Sequence, residues 1–269
     1  MQNRLRFILP IGVLVLILFS GCDRNSEKMV RAFTPPEDEA TATNYISLLR
    51  QGGFDQIQKD MDASITDADT HSTLVKMAAL IPPQDPISVK VVGAHQFRTQ
   101  DTYKINLTFE YQFPTNWLLI NVALQRKAGV STIYGFNVQP MSDSLENYNR
   151  FTLTGKSAFQ YAMLALAILI PIFILYVLVL CIRTKMKKRK WLWIIFILFG
   201  FGKITISWTT GQWQWGLFQI QLLGAGAFAP LYGAWLITVS APLGAITFLL
   251  RRKKLTASIE PLISESPTP

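Results

Sequence analysis

The chain has 269 residues, of which 50% are hydrophobic, and a formal net charge of +9 at pH 7. Residues 23–155 carry 12 basic and 15 acidic side chains, whereas the rest of the chain carries 14 basic and 2 acidic ones. The excess of Lys and Arg residues lies at the ends of apolar runs, as is typical of membrane proteins, so we expect no nucleic-acid partner. No acidic residue lies between Glu146 and Glu260, as expected of segments that enter lipid.

The N-terminus has the pattern of a secretion signal. Arg4 and Arg6 precede an apolar stretch that is too short to cross a bilayer comfortably. The next residues, Phe19-Ser-Gly-Cys22, resemble the bacterial lipobox, in which a signal peptidase cuts before a Cys that is then acylated. The resemblance implies a lipoprotein signal peptide over residues 1–21, a lipid on Cys22 and, through Asp23, retention in the inner membrane. The alternative is an uncleaved signal anchor in which Cys22 is inert.

The residues after Cys22 change from polar to helical in pattern. Residues 22–36 are polar and end in Pro35-Pro36, so we predict a linker there. Acidic residues in a first turn and an apolar stripe then predict a helix from residue 37 to Gly52. Two shorter helices are predicted over residues 54–61 and 70–80.

The period becomes that of a strand after residue 83. From Tyr103 to Phe113 six apolar residues alternate with five polar ones, which predicts a strand with one buried and one solvated face. Weaker strands are predicted over residues 87–95, 117–125 and 132–139, joined by hairpin-length connections. In the last of them, Tyr134, Phe136 and Val138 are expected on a common face. Helices followed by an antiparallel meander predict an α+β domain over residues 37–150, with the helices on one face of the sheet.

Element order over residues 37–140 resembles the NTF2-like or cystatin-like group. The stretch Tyr45-Ile-Ser-Leu-Leu-Arg-Gln-Gly-Gly-Phe54 is similar to the start of uncharacterised secreted members of that group. The resemblance implies helices in the concavity of a curved antiparallel sheet, but it carries no catalytic residue and does not decide activity. Such a sheet can enclose a pocket, and the same strand residues can instead form a solid core. The residues expected at a pocket are Ile105, Phe109, Tyr111, Tyr134 and Phe136.

The C-terminal half predicts an α-helical membrane region of three spans. The uncharged run over residues 157–182 reaches roughly 39 Å as a helix, which exceeds a hydrocarbon core of about 30 Å. Further helical spans are predicted at 191–208, which Gly200 and Gly202 interrupt, and at 231–250, in which Pro242 is expected to kink the helix. Between them, residues 209–230 alternate glutamines with aromatic and aliphatic residues, which favours an amphipathic strand at the outer interface, with a helix as the alternative.

Two basic clusters set the predicted orientation, since short loops rich in Lys and Arg stay in the cytoplasm. Residues 22–156 are therefore expected outside the cytoplasm, and the tail over residues 251–269 inside. The expected location is the bacterial inner membrane. The topology anchors are Arg183, Lys185, Lys187, Lys188, Arg189 and Lys190 after the first span, and Arg251, Arg252, Lys253 and Lys254 after the third.

Residues that carry catalysis or bind metals are few. His71 and His95 are the two histidines and neither has metal-spaced partners, so we expect no metal and no cofactor. A triad of Ser88, His95 and Asp101 is compatible with composition, but sequence neighbours seldom form one, and we assign no catalytic residue. Lys203 in the second predicted span raises the hypothesis of transport. No span contains an acidic partner for it, which favours a lysine that snorkels to the outer interface.

The leading hypothesis is a non-enzymatic, membrane-anchored lipoprotein. Its extracytoplasmic domain would act as a sensor, scaffold or binding module. The expected partners are the lipid bilayer and a membrane or periplasmic protein. The alternatives are a small-pocket hydrolase or isomerase of the NTF2-like type and an accessory subunit of a transporter.

Overall fold

The computed structural model describes residues 26–127, 129–186 and 190–257. The predicted signal peptide, Cys22, Asp23, the predicted anchors Lys187, Lys188 and Arg189, and the end of the predicted tail lie outside the described residues. The chain divides into two compact units between Tyr148 and Asn149, close to residue 150, where we predicted the α+β domain to end. Each unit is described by itself below.

The first unit begins with four helices and a short 3-10 turn. They are α1 (Ser26–Ala32), α2 (Pro36–Gln51), α3 (Phe54–Asp60), the 3-10 turn Ala63–Ile65 and α4 (Thr70–Ala79). Gly52 ends α2 in the left-handed region, with φ of 77°, and the N–H of Gly53 donates to the Leu48 carbonyl at 2.8 Å. This is the usual glycine-terminated helix end. The three helices predicted between residues 37 and 80 are confirmed.

The polar segment before α2 contains a helix where we predicted a linker. Within residues 22–36, Ser26–Ala32 forms α1, Val30 is buried, and the Gln96 side chain donates to the Phe33 carbonyl at 2.7 Å. A polar helix with one buried apolar side chain has almost no hydrophobic periodicity, so this helix could not be predicted from the sequence.

Four antiparallel strands follow in the order β1-β2-β3-β4. They are β1 (Ser88–Arg98), β2 (Thr102–Gln112), β3 (Trp117–Lys127) and β4 (Val130–Met141), and a short helix α5 (Leu145–Tyr148) ends the unit. The four predicted strands and the α+β class are thereby confirmed. In the register of the sheet, Leu107 faces Val122 and Phe109 faces Ile120.

The core of the first unit lies between one face of this sheet and the helices. Because side chains alternate along a strand, every second residue of β2 and β3 enters the core. The helices contribute apolar residues of their inner faces, so the core is continuous from helix to sheet. Its fully buried members are Ile46, Leu49, Ile57, Leu74, Ile105, Leu107, Phe109, Leu118, Ile120 and Ile133.

The described residues of the second unit form three helices and a second four-stranded antiparallel sheet, of order β6-β5-β8-β7. Its elements are α6 (Ala158–Arg183), α7 (Lys190–Leu198), β5 (Phe199–Ser207), β6 (Trp213–Leu222), β7 (Ala225–Phe228), β8 (Leu236–Ala241) and α8 (Leu243–Ala257). Ser157 and Gln160 form a reciprocal capping box at the start of α6. The helix predicted over residues 157–182 is confirmed. Among the described residues, α6 is the one helix long and apolar enough to cross a membrane.

The other two predicted membrane helices are not continuous helices. Residues 191–208 divide into α7 and β5, and residues 231–250 contain β8 followed by α8. Gly200 and Gly202 lower the helix propensity within residues 191–208, and β-branched residues such as Ile204 and Ile206 favour the strand β5. Pro242 stands at the junction of β8 and α8, where we had expected a kink within one helix. The strand, and not the alternative helix, is confirmed within residues 209–230 as β6.

Residues 190–208 and residues 236–257 both run along the length of α6. Near its start, Met163 packs with Ile206, Trp208 and Ile237. Near its end, Ile174 and Cys181 lie in one cluster with buried residues of α7 and α8, namely Ile197, Ala245 and Phe248. Residues 190–208 therefore run antiparallel to α6, and residues 236–257 run parallel to it.

Candidate functional site

The predicted pocket of the first unit is filled by its own side chains. Ile105, Phe109 and Tyr111 are buried between sheet and helices, and burial raises the pKa of Tyr111 to about 12. Phe136 lines a shallow depression of about 270 Å³, together with residues of α4 that include Leu74 and Met77. The five residues therefore do not line a common cavity.

Tyr134 lies on the other face of the sheet. The register shifts between Ala123 and Leu124, so that Leu124 pairs with Ile133 and Ala123 pairs with Gly135. This bulge leaves Tyr134 without a partner, and its ring packs under the Lys104 ammonium at 4.7 Å from the ring centre. We had placed Tyr134 and Phe136 on a common face, which is wrong because the bulge interrupts the alternation.

A buried ion pair attaches α2 to one end of the sheet. The Asp38 carboxylate is almost fully buried. It accepts a hydrogen bond from the Tyr103 hydroxyl at 2.7 Å and forms an ion pair with Arg126. Burial, and next this hydrogen bond, raise the pKa of Tyr103 to about 12. Arg98 and Arg126 both pack against the Tyr103 ring, at 5.0 and 5.1 Å from its centre. Because the hydrogen-bonding groups of Asp38 are engaged, this cluster is structural.

The face of the sheet opposite the helices carries a row of amides. We call Asn106, Thr108, Asn121 and Asn137 the amide face. Asn121 pairs in register with Asn137, and its side-chain amide donates to Thr108 at 2.9 Å and to Asn106. Glycines flank the row, since Gly93 pairs with Thr108 and Gly135 with Ala123. The result is a neutral polar surface without bulky side chains at its centre.

Charged groups border this surface where β2 and β3 meet the 3-10 turn. The Asp62 carboxylate accepts bonds from the Ser64 hydroxyl at 2.6 Å, the Ser64 N–H at 2.9 Å and the Gln125 amide at 3.1 Å. Hydrogen bonds from Ser64 are the main cause that lowers the pKa of Asp62. Gln125 pairs with Lys104, so an anion and a cation stand side by side at this end.

The residues considered for catalysis lie apart. Ser88 and His95 stand on β1 seven positions from each other, which is roughly 23 Å along a strand, so they do not form a triad with Asp101. His71 instead contacts Phe54 edge-on at 5.5 Å. Within the described part of the chain, no three His, Cys, Asp or Glu residues are grouped as a metal site would need.

The amide face was not identified from the sequence. The alternation in β2 did predict a solvated face that includes Asn106 and Thr108, but their neighbours on β3 and β4 follow from strand register, which the sequence pattern does not give.

No family model, no curated protein and no solved structure matches this chain. The resemblances to lipoproteins and to the NTF2-like or cystatin-like group therefore stay predictions, and function is argued below from geometry and charge.

Proposed function

We propose that the chain is an inner-membrane lipoprotein whose first unit is an extracytoplasmic, non-enzymatic binding module for a membrane or periplasmic protein. The fold of that unit is proposed to be NTF2-like or cystatin-like. The open amide face, opposite a core that is filled by its own side chains, is the observation that carries the proposal.

The surface of α6 supports membrane attachment. Only 17% of the residues in its most apolar stretch are buried within the protein, whereas the core helix of a soluble protein would be mostly buried. Aromatic residues gather near the start of α6, where Trp208 stacks on Phe151 at 5.0 Å and Tyr161 meets Trp208 edge-on. Tryptophan and tyrosine favour the membrane interface.

The path of the chain along α6 supports three crossings. A nine-residue helix followed by a nine-residue strand, α7 and β5, extends roughly 40 Å if the two are collinear, which is enough for a hydrocarbon core of about 30 Å. The strands of the two crossing segments, β5 and β8, are the inner strands of the sheet and pair with a strand on each side, so their backbone groups are satisfied without water. Arg183 and Lys185 then lie on the same side as Arg251, Arg252 and Lys253, which the positive-inside rule assigns to the cytoplasm.

The chemistry of the first unit supports binding over catalysis. Side chains expected to line an enzymatic pocket are packed in the core, and the exposed groups of the amide face are neutral donors and acceptors. A surface of this kind recognises polar groups of a partner through paired hydrogen bonds and does not supply an acid, a base or a nucleophile.

Photo-crosslinking in intact membranes tests the binding surface. A photoreactive amino acid is placed at Asn137 on the amide face or, as the matched control, at the exposed Val75 of α4. We expect one discrete adduct from position 137 and none from position 75. Adding Asn121→Arg to the first variant should reduce that adduct by at least about fivefold, because a misplaced charge at the centre of an interface costs more than about 1 kcal/mol. Equal adducts from both positions, or none, would refute the proposal.

Lipidation is tested by mass spectrometry of the mature chain. We expect Cys22→Ala to leave an uncleaved, unacylated precursor, since the peptidase needs the modified thiol. Cys181→Ala is the matched control, because Cys181 is buried in α6 and its loss should leave processing unchanged. An unmodified Cys22 in the wild-type protein would show that the chain is not a lipoprotein.

A further inference from the structure

The sheet of the second unit curls around a polar pocket. Gln221 lies on the edge strand β6, yet its amide donates to Thr238 of β8 at 2.6 Å and its carbonyl accepts from Ser240 at 2.9 Å. Its side chain passes over Gly200, where an added Cβ would lie 2.7 Å from the Ser240 Cβ. The pocket inside this curl has a volume of about 490 Å³.

Lys203 supplies the charge of this pocket. It lines the pocket together with Gln219, Gln221 and Thr238. Lys203 pairs with Gly216 in the sheet, and the Gln219 amide nitrogen lies 3.0 Å from where a Cβ of Gly216 would stand, so Gln219 folds back toward the lysine. Within the described residues, neither the Lys203 side chain nor the Gln219 side chain makes a hydrogen bond or ion pair.

Within residues 149–257, no carboxylate can neutralise the lysine. The sequence contains no Asp or Glu between Glu146 and Glu260, so all of residues 149–257 lack an acidic side chain. A cation in low-dielectric surroundings is costly unless an anion accompanies it. The pocket is thus complementary to a negatively charged group that also accepts hydrogen bonds.

An apolar groove adjoins the same lysine. It has a volume of about 570 Å³ and is lined by Lys203 and by Leu166, Ile170, Trp213, Trp215 and Val239 among others. Leu166 and Ile170 belong to α6, and the tryptophans belong to β6. This groove lies on the face of the sheet that packs on α6, since Val239 lies in one cluster with Met163, whereas Thr238, the preceding residue of β8, faces the polar pocket. The apolar surface on the side of the polar pocket is Phe228, which lines that pocket together with Lys203 and is 51% exposed. A lysine in the same pocket as an exposed apolar ring fits an amphiphile with an anionic end.

We propose that the second unit binds an anionic phospholipid, whose phosphate group contacts Lys203 and Gln219 and whose acyl chain lies along Phe228. The inference rests on the proposed membrane location of this unit. The phosphate accepts hydrogen bonds from the ammonium and the amide, and the pocket wall formed by Gln221 and Thr238 is held in place by the hydrogen bonds that join Gln221 to Thr238 and to Ser240.

The test uses the full chain, purified in a neutral detergent and titrated with phosphatidylglycerol or with phosphatidylcholine of the same acyl chains. Native mass spectrometry counts the lipids that remain bound. We expect the wild-type chain to retain phosphatidylglycerol about tenfold better than phosphatidylcholine, Lys203→Gln to reduce this preference below about twofold, and Lys203→Arg to keep most of it. Lys156→Gln removes the same charge elsewhere in the unit and should leave the preference unchanged.

Three results would overturn the proposal: an undiminished preference in Lys203→Gln, a preference that Lys156→Gln abolishes equally, or displacement of the lipid by millimolar glycerol phosphate, which would indicate a site for soluble anions. Insertion of the chain into nanodiscs of phosphatidylcholine alone is measured in parallel. Because insertion depends on α6 and not on Lys203, loss of insertion would count against the membrane location, whereas insertion without lipid preference would count against the lipid site alone.

Discussion

Replacing Phe109 with alanine is expected to lower the free energy of unfolding of the first unit by about 3–5 kcal/mol. Phe109 is almost fully buried on β2, opposite Ile120, and its ring packs near Tyr111 at 6.5 Å. The loss combines the transfer energy of the ring with the cavity that it leaves behind. Since a domain is stable by only about 5–15 kcal/mol, this change removes a large part of the total.

Hydrogen–deuterium exchange of the full chain in detergent measures this effect. Amides of β2 and β3 that exchange through global opening should exchange about 10²- to 10³-fold faster in Phe109→Ala, because each 1.4 kcal/mol changes the opening equilibrium tenfold. Phe97→Ala is the matched control, since Phe97 lies on the adjacent β1 but is 62% exposed. It should change exchange by less than about threefold. An acceleration below tenfold in Phe109→Ala would show that the core is not packed as described.

The helices and strands of the first unit were predictable because their periods are unambiguous. In β2 the alternation from Tyr103 to Phe113 determines which face of the strand is buried. The end of α2 is determined locally, because Gly52 adopts the left-handed conformation that terminates a helix. The amide face required information of a different kind. Which residue of β3 stands beside Asn106 depends on hairpin length and on the bulge at Ala123, and these are tertiary features.

The second unit shows a second limit of sequence patterns. Residues 191–208 are apolar on all sides, and such a run has no period that would separate a helix from a strand. The glycines at 200 and 202 and the β-branched residues after them marked the change to β5, but they were interpreted as irregularities within a helix. The polar pocket was also beyond prediction, because Gln221 reaches Thr238 only when the sheet curls.

A double substitution on the exposed surface of α6 tests whether lipid surrounds it. Leu169 and Ile172 are 59% and 58% exposed and lie one turn apart. Two aspartates at the centre of a membrane helix cost about 5–7 kcal/mol, whereas the 13 Leu, Ile, Val and Phe residues that remain in α6 favour insertion by roughly 4–8 kcal/mol. We therefore expect Leu169→Asp with Ile172→Asp to reduce insertion from nearly complete to about half or less. An alkaline phosphatase joined after Met186, which is active only outside the cytoplasm, measures the fraction that fails to insert.

The matched control places the same two charges on the first unit. Phe97 and Val130 are 62% and 63% exposed, so Phe97→Asp with Val130→Asp changes equally exposed apolar side chains that we propose face water. Phosphatase activity should stay at the wild-type level in this control, since exposed substitutions in water usually alter stability by less than about 0.5 kcal/mol. If the α6 variant also stayed at the wild-type level, or if the wild-type fusion were already active, then α6 would not carry the chain into the cytoplasm and the three-crossing topology would be lost with it.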